Sequence, residues 1–371
     1  MKKIAIIAAP FGYGPASKAL LIADSLVHLA EITLISNGDA YRFIKKYASV
    51  TTTCLQGIFK SVYDENKLST YDYFISVGNE TAVVFLVSCG MQSRVIFIDS
   101  LHPWRMQFNP DKWKSPVLAC LIEDFPGAEM QFSGYNSARV ERVAPLTWKP
   151  APFIDSTGKK SHITLALGGV TSPLATWEQV REIIVTIMTG IIEQARLHEK
   201  NILVIGNSQV RELAGTDDKD VRVMADVSPQ QAVNIISQSC LVISTPGLAT
   251  IYESILCNVP VLLLPPLSST ALFQGHIYLR QGFSMTLEPE LVNELMEILK
   301  VPVWHEQTGH CIDWLNRHRK SLLARLPEQM SLVFSSDNST YNTLLQMQAR
   351  YLLAYCKNDA LQIIHDLILP E

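Results

Sequence analysis

The sequence predicts an α/β protein made of two doubly wound domains. Three observations carry that prediction. Short apolar runs of strand length alternate along the chain with longer segments whose apolar residues recur at helical spacing, the pattern of a parallel sheet covered by helices. The 371 residues amount to two domains at about 150 residues each. A stretch from 144 to 161, with Pro145, Pro150, Pro152, Gly158 and Lys159-Lys160, interrupts the alternation and reads as a linker. The expected domains are therefore 1–150 and 151–371.

Composition narrows the class. Hydrophobic residues make up 48% and charged residues 18% of the chain, which suits two globular cores. A formal net charge of −4, without long runs of Lys or Arg, argues against a nucleic-acid partner. The 7 cysteines are odd in number and none forms a C-x-x-C pair, so they read as reduced thiols of a cytoplasmic protein. The opening MKKIAIIAAPFGYG has too short an apolar run for a secretory signal and reads as a first strand. No run approaches the ~18 apolar residues that cross a bilayer.

The first domain opens with a strand over Ile4–Ala9, the turn Pro10-Phe11-Gly12-Tyr13-Gly14-Pro15, and a helix carrying Ala19, Leu20, Ile22, Ala23 and Leu26 on one face. A second strand over Ile32–Ile35 closes at Asn37-Gly38, which makes a right-handed βαβ unit. The turn lacks the third glycine of a dinucleotide fingerprint. Ser17 and Lys18 follow it. They are placed to touch an anionic ligand, although a first-turn lysine is more often solvated. Strands follow at Tyr73–Val77 and Arg94–Ile98. The second ends in Asp99-Ser100-Leu101-His102-Pro103-Trp104-Arg105, where a carboxylate, an imidazole and an indole share one strand-end loop. His102 is the best general base in the domain, since imidazole titrates near neutrality. Asp99 either orients it or acts alone. Trp104 and Trp113 either stack on a flat ligand or anchor the loop in the core. Apolar runs at 117–122 and 140–143 complete the domain.

The second domain opens with a strand at His162–Leu167 and a loop, Gly168-Gly169-Val170-Thr171, in which glycine lets a ligand approach the backbone. A long helix from Trp177 to His198 and strands at 202–205 and 221–224 come next. The most informative stretch follows. Leu241–Ser244 reads as a buried strand, Thr245-Pro246-Gly247 as a tight turn, Leu248–Cys257 as a helix ended by Asn258, and Val261–Leu264 as the next strand. The turn thus lies at the carboxyl end of a strand and the amino end of a helix, where open α/β sheets place ligands and backbone N–H groups attract phosphate. Thr250 and Glu253 share a helical face just beyond it. Helices resume at Leu272–Gln281 and Glu290–Leu299, His276 lying in the first of them. An amphipathic stripe with Leu344, Leu345 and Met347 marks the end of the chain.

This stretch resembles the donor-binding signature of the GT-B glycosyltransferases that use nucleotide sugars. Their pattern is approximately W-x-P-Q, then H-x-G-x-x-S-x-x-E, then G-x-P. Here it reads Val227-Ser228-Pro229-Gln230, Thr245-Pro246-Gly247-Leu248-Ala249-Thr250-Ile251-Tyr252-Glu253 and Asn258-Val259-Pro260. The turn is also similar to the S-G-x-x-T-x-x-E of the glucosaminyltransferase of peptidoglycan synthesis. The resemblance implies two Rossmann-like domains facing a central cleft, with the last helix crossing back to the first domain. It implies that Glu253 holds a ribose, that Thr250 and the Gly247 turn with Leu248 and Ala249 hold phosphate, and that Gln230 lies near the base. Gly168, Gly169 and Thr171 would face the diphosphate, and Gly12, Tyr13, Gly14 and Ser17 would line the acceptor side. Four features depart from the family pattern. Thr245 stands for a phosphate-binding His and Val227 for a base-stacking Trp. The D-Q pair that reads sugar hydroxyls has only Thr270 or Gln274 in its place. Gly14-Pro15 also replaces the G-H whose histidine is the base in many relatives.

The function so implied is metal-independent, inverting transfer of a sugar from a nucleoside diphosphate sugar, with uridine or thymidine diphosphate as carrier, to a small-molecule acceptor such as a natural product. No cofactor is expected beyond that co-substrate. A homodimer is a further expectation. Two alternatives stay open: a nucleotide-sugar epimerase of the same architecture, and a catalytically degenerate protein that only binds.

Overall fold

The computed structural model describes residues 1–57, 65–101, 117–124, 139–151, 160–168, 170, 174–215, 220–334, 338–353 and 358–369. The chain divides into two compact units. One comprises Met1–Thr147 together with Tyr355–Glu371, and the other comprises Trp148–Ala354.

The first unit is built on β1 (Lys2–Ala8), β2 (Ala30–Ser36), β3 (Thr53–Gln56), β4 (Tyr73–Val77), β5 (Val95–Asp99), β6 (Ala119–Glu123) and β7 (Val140–Val143). These form one sheet of order β3-β2-β1-β4-β5-β6-β7. Every pairing in it is parallel. Its central strands are buried on both faces, as Ile4–Ala8 and Val95–Asp99 show. This is why they read as continuous apolar runs rather than alternating ones. Helices α1 (Gly14–Leu26), α2 (Gly38–Tyr47) and α3 (Glu80–Ser88) follow β1, β2 and β4. The C-terminal helix Ala360–Ile368 belongs to this unit. Just before it, the Asn358 carbonyl accepts from the Ala144 amide at 2.9 Å and Asn358 Nδ2 donates to the Arg142 carbonyl at 3.1 Å.

In the sequence, Asn37-Gly38 reads only as the close of the second strand, with no element after it. Asn37 is instead the N-cap of α2, its Oδ1 accepting from the Gly38 amide at 2.8 Å. Gly38 takes a positive φ of 57°.

The second unit carries β8 (His162–Leu167), β9 (Asn201–Gly206), β10 (Val221–Ala225), β11 (Ser239–Ser244), β12 (Val261–Leu263) and β13 (Ser284–Met285). They form a parallel sheet of order β10-β9-β8-β11-β12-β13. Between and after them run α4 (Trp177–Leu197), α5 (Pro229–Ser237), α6 (Leu248–Leu256) and α7 (Ser269–Arg280). The last starts earlier than the apolar spacing predicts, because Ser268 caps it by accepting from the Ala271 amide at 3.2 Å. In the helix Asn338–Leu353, the last of the second unit, the expected stripe is only half right. Met347 is exposed, while Gln348 is 1% exposed. Its Oε1 accepts from the Val261 amide at 3.1 Å and its Nε2 donates to the Val261 carbonyl at 3.0 Å. A side-chain amide thus stands where a neighbouring strand would pair with β12. No helix among the described residues is long and apolar enough to cross a membrane.

Candidate functional site

In each sheet the chain reverses its winding once. In the second unit the reversal falls between β8, which is followed outward by β9 and β10, and β11, which is followed by β12 and β13. Ligands of open α/β sheets sit outside the carboxyl ends of the strands at such a point. Ser244 pairs with Ala166, so the loop starting at Gly168 and the turn Thr245-Pro246-Gly247 leave the sheet side by side. The two segments singled out in the sequence are therefore neighbours. Gly169 and Thr171 lie outside the described residues. At Gly168 an added Cβ would meet nothing within 4 Å, which leaves open space over this backbone.

The turn presents the start of α6. Gly247 occupies the N-cap with φ −157° and ψ 147°, and no side chain caps the helix. By contrast α5 opens with a full capping box, the Ser228 Oγ accepting from the Gln231 amide at 3.1 Å and the Gln231 Oε1 from the Ser228 amide at 3.0 Å. An uncapped helix start leaves the N–H groups of Leu248, Ala249 and Thr250 without intrahelical partners and aimed outward. Thr245, Gly247, Ala249 and Thr250 are partly exposed, while Leu248 is buried.

Glu253 lies one turn beyond Thr250 on the same face and is 7% exposed. Burial, and next the Glu253 carboxylate, push the Cys257 thiol up to about 12. The far end of α6 is closed firmly. Asn258 takes a φ of 54°, its amide donates to the Ile255 carbonyl, and the Val259 amide reaches back to Ser254. This is a Schellman ending with Asn in the left-handed position, at the residue where the sequence reading ends the helix. Lys160 Nζ donates to the carbonyls of Cys257 and Asn258.

The other residues that the resemblance assigns to the donor side lie at varying distances from this turn. Gln274 in α7 is 5% exposed, and the next residue, Gly275, packs on Pro246. His276 is partly buried, and burial followed by the nearby Arg280 holds it below its ordinary value. Val227 and Gln230 stand at the end of β10, three strands from β11, or about 14 Å at the usual strand spacing. Gln230 Nε2 donates to the Lys149 carbonyl at 2.9 Å and to Asn234 Oδ1 at 3.1 Å, so this amide also fastens the entry of the unit. Asn207, 2% exposed at the end of β9, lies in the same row of strand ends and drew no notice in the sequence.

In the first unit the winding reverses between β1 and β4. Gly12 has φ 66°, which a side chain would strain. Tyr13 is the N-cap of α1 and stacks on Phe43 with centroids 4.2 Å apart. Gly14 is the first helical residue, and Ser17 donates its amide to the Tyr13 carbonyl at 2.8 Å. His102 and Trp104 lie outside the described residues. Asp99 is wholly buried and its Oδ1 accepts from the Leu101 amide at 2.9 Å. That burial suits a residue that shapes the loop and not one that alone meets an acceptor.

The reading of Lys18 as solvated is corrected. It is 4% exposed and paired with Glu123, which is 0% exposed. A lysine stem from the first turns of α1 reaches the ends of β5 and β6, where the carboxylate replaces the water it gives up.

Two parallel, doubly wound units of this kind make up the GT-B fold. No family model matches the sequence, and no curated protein matches it. Solved structures do. The chain is similar to UGT71G1 of Medicago truncatula complexed with UDP-glucose, at 11% identity and a TM-score of 0.58, over 99% of this chain and 98% of that one. It is similar to the spinosyn rhamnosyltransferase SpnG at 9% identity and a TM-score of 0.57, over 99% of each chain. It is also similar to Arabidopsis thaliana UGT89C1 complexed with quercetin, at 13% identity and a TM-score of 0.51, over 94% of this chain and 99% of that one. At these identities the likeness is one of fold.

Proposed function

We propose that this protein is a glycosyltransferase that moves a sugar from a nucleoside diphosphate sugar, carried on uridine or thymidine diphosphate, to a small-molecule acceptor with inversion. One observation carries the reading. An uncapped helix start, with Thr250 one turn in and buried Glu253 on the same face, lies at the winding reversal of the second sheet. The neighbours in fold crystallised with UDP-glucose and with quercetin support the same pairing of donor and acceptor.

In this reading the diphosphate rests on the N–H groups of Leu248–Thr250, Glu253 accepts from the ribose hydroxyls, and the base extends over the strand ends toward Val227 and Gln230. A base takes the acceptor proton, with His102 the candidate and Asp99 its orienting partner. The acceptor oxygen or nitrogen forms a bond to the anomeric carbon. The bond to the diphosphate breaks, and its electron pair leaves with the phosphate. Fixed N–H dipoles at α6 stabilise the charge that develops there, and the scheme assigns no step to a metal. Titration calorimetry with uridine and thymidine diphosphates tests it. The intact protein should bind one of them, and Glu253→Ala should weaken that binding at least about tenfold, or ~1.4 kcal/mol, with an unchanged circular dichroism spectrum. Equal affinity in both proteins sinks the reading.

A further inference from the structure

Lys18, Ser100 and Glu123 form a closed hydrogen-bonded group at the carboxyl ends of β5 and β6. Lys18 Nζ donates to Ser100 Oγ at 2.8 Å and to the Glu123 carboxylate. Ser100 Oγ also bonds to Glu123 Oε2. The other carboxylate oxygen accepts from the Leu146 amide at 2.6 Å. Both charged groups are buried, whereas Ser100 is only partly so. Such a pair is weak evidence for stability, because apolar residues of the same volume often serve as well.

The group fixes the sense of the serine hydroxyl. An ammonium can only donate and a carboxylate can only accept. Ser100 must therefore spend its one hydrogen on Glu123 and one lone pair on Lys18. A single lone pair remains, on the only member of the trio with appreciable exposure. The hydroxyl is locked as an acceptor and has nothing to donate.

We propose that Ser100 is a specificity-determining contact for the acceptor, admitting a ligand O–H or N–H and rejecting a ligand oxygen or nitrogen without hydrogen. The proposal rests on the glycosyltransferase reading, in which the first unit receives the acceptor, and it deepens it. Ser100 reads a polar hydrogen other than the one the base removes, and so discriminates against analogues alkylated at that second group, since an unmatched polar contact is costly.

The test uses the full chain and two matched pairs, phenol with anisole and aniline with N,N-dimethylaniline, in ligand-observed NMR titrations. Wild type should prefer the member bearing hydrogen by about tenfold. Ser100→Ala should lose that preference. The double variant Lys18→Met, Glu123→Leu removes both charges together and frees the hydroxyl to donate. It should gain affinity for the methylated members, a change that a merely structural trio would not produce. Indifference of wild type to both pairs, or a preference that survives in Ser100→Ala, overturns the proposal. Uridine diphosphate titrated into the same samples separates the two readings. Loss of nucleotide binding counts against the transferase, while normal nucleotide binding with indifferent pairs counts against Ser100 alone.

Discussion

Gly275 of α7 lies against Pro246 of the Thr245-Pro246-Gly247 turn, so closely that a side chain there would crowd it. A Cβ at position 275 would stand 3.0 Å from Pro246 Cγ and 3.1 Å from Met285 Cε. The backbone of α7 therefore braces the bend that opens the preceding helix, α6. Gly275→Val should displace that bend and weaken nucleotide binding by about tenfold, or ~1.4 kcal/mol. Overpacking should cost about 1–3 kcal/mol of stability. Calorimetry and urea melts on one preparation measure both, and an unaltered affinity would dissociate the brace from the site.

Gln348 supplies the partner that β12 lacks at its first residue. Gln348→Leu keeps the volume and strands the buried amide and carbonyl of Val261. Each unsatisfied group costs about 1–3 kcal/mol, so the variant should lose about 2–6 kcal/mol in urea denaturation. A loss within error would mean that Val261 finds other partners.

Asn258 holds a left-handed backbone conformation at the end of α6. Asn258→Ala should cost about 1 kcal/mol, because a Cβ without a compensating polar group disfavours φ above zero. Asn258→Gly should be neutral or better. Thermal melts that rank alanine above glycine would contradict this account of the ending.

Burial lowers the pKa of His162, only partly offset by its contact with the Ile235 backbone. Its folded value lies below the unfolded one, so its contribution to stability is complete above the unfolded value of 6.5. It is lost as pH falls through the lower folded value. Wild type should therefore lose more stability than His162→Gln between about pH 7.5 and about pH 5. Parallel slopes in the two proteins would remove His162 from the acid response.

The Gly247 turn of the second unit was legible because its parts are local. Strand, bend, Thr250, Glu253 and the Asn258 ending lie within one short stretch, and each follows from turn and cap chemistry. The central strands were equally plain, since burial on both faces writes itself as an unbroken apolar run. The edge strand β3 was not, because its residues Thr53–Gln56 are partly exposed and mixed in character. Helix α2 was hidden behind Asn37-Gly38, a pair that signals a hairpin as readily as a cap. Lys18 misled for a different reason. Its partner Glu123 is 105 positions away, and nothing near a lysine in the chain reveals whether a distant carboxylate will meet it. Gln348 is the same case, reading as surface until β12 is in place beside it.

The cation that Lys160 sets against the last carbonyls of α6 reaches beyond that end of the helix. Aligned peptide dipoles give a helix opposite partial charges at its two ends. With the negative pole already offset, it subtracts less from the positive end at Gly247, so an incoming anion meets a stronger attraction there than the nine-residue helix would exert without the lysine. A side chain that touches no ligand thereby sets part of the potential in which the ligand would bind.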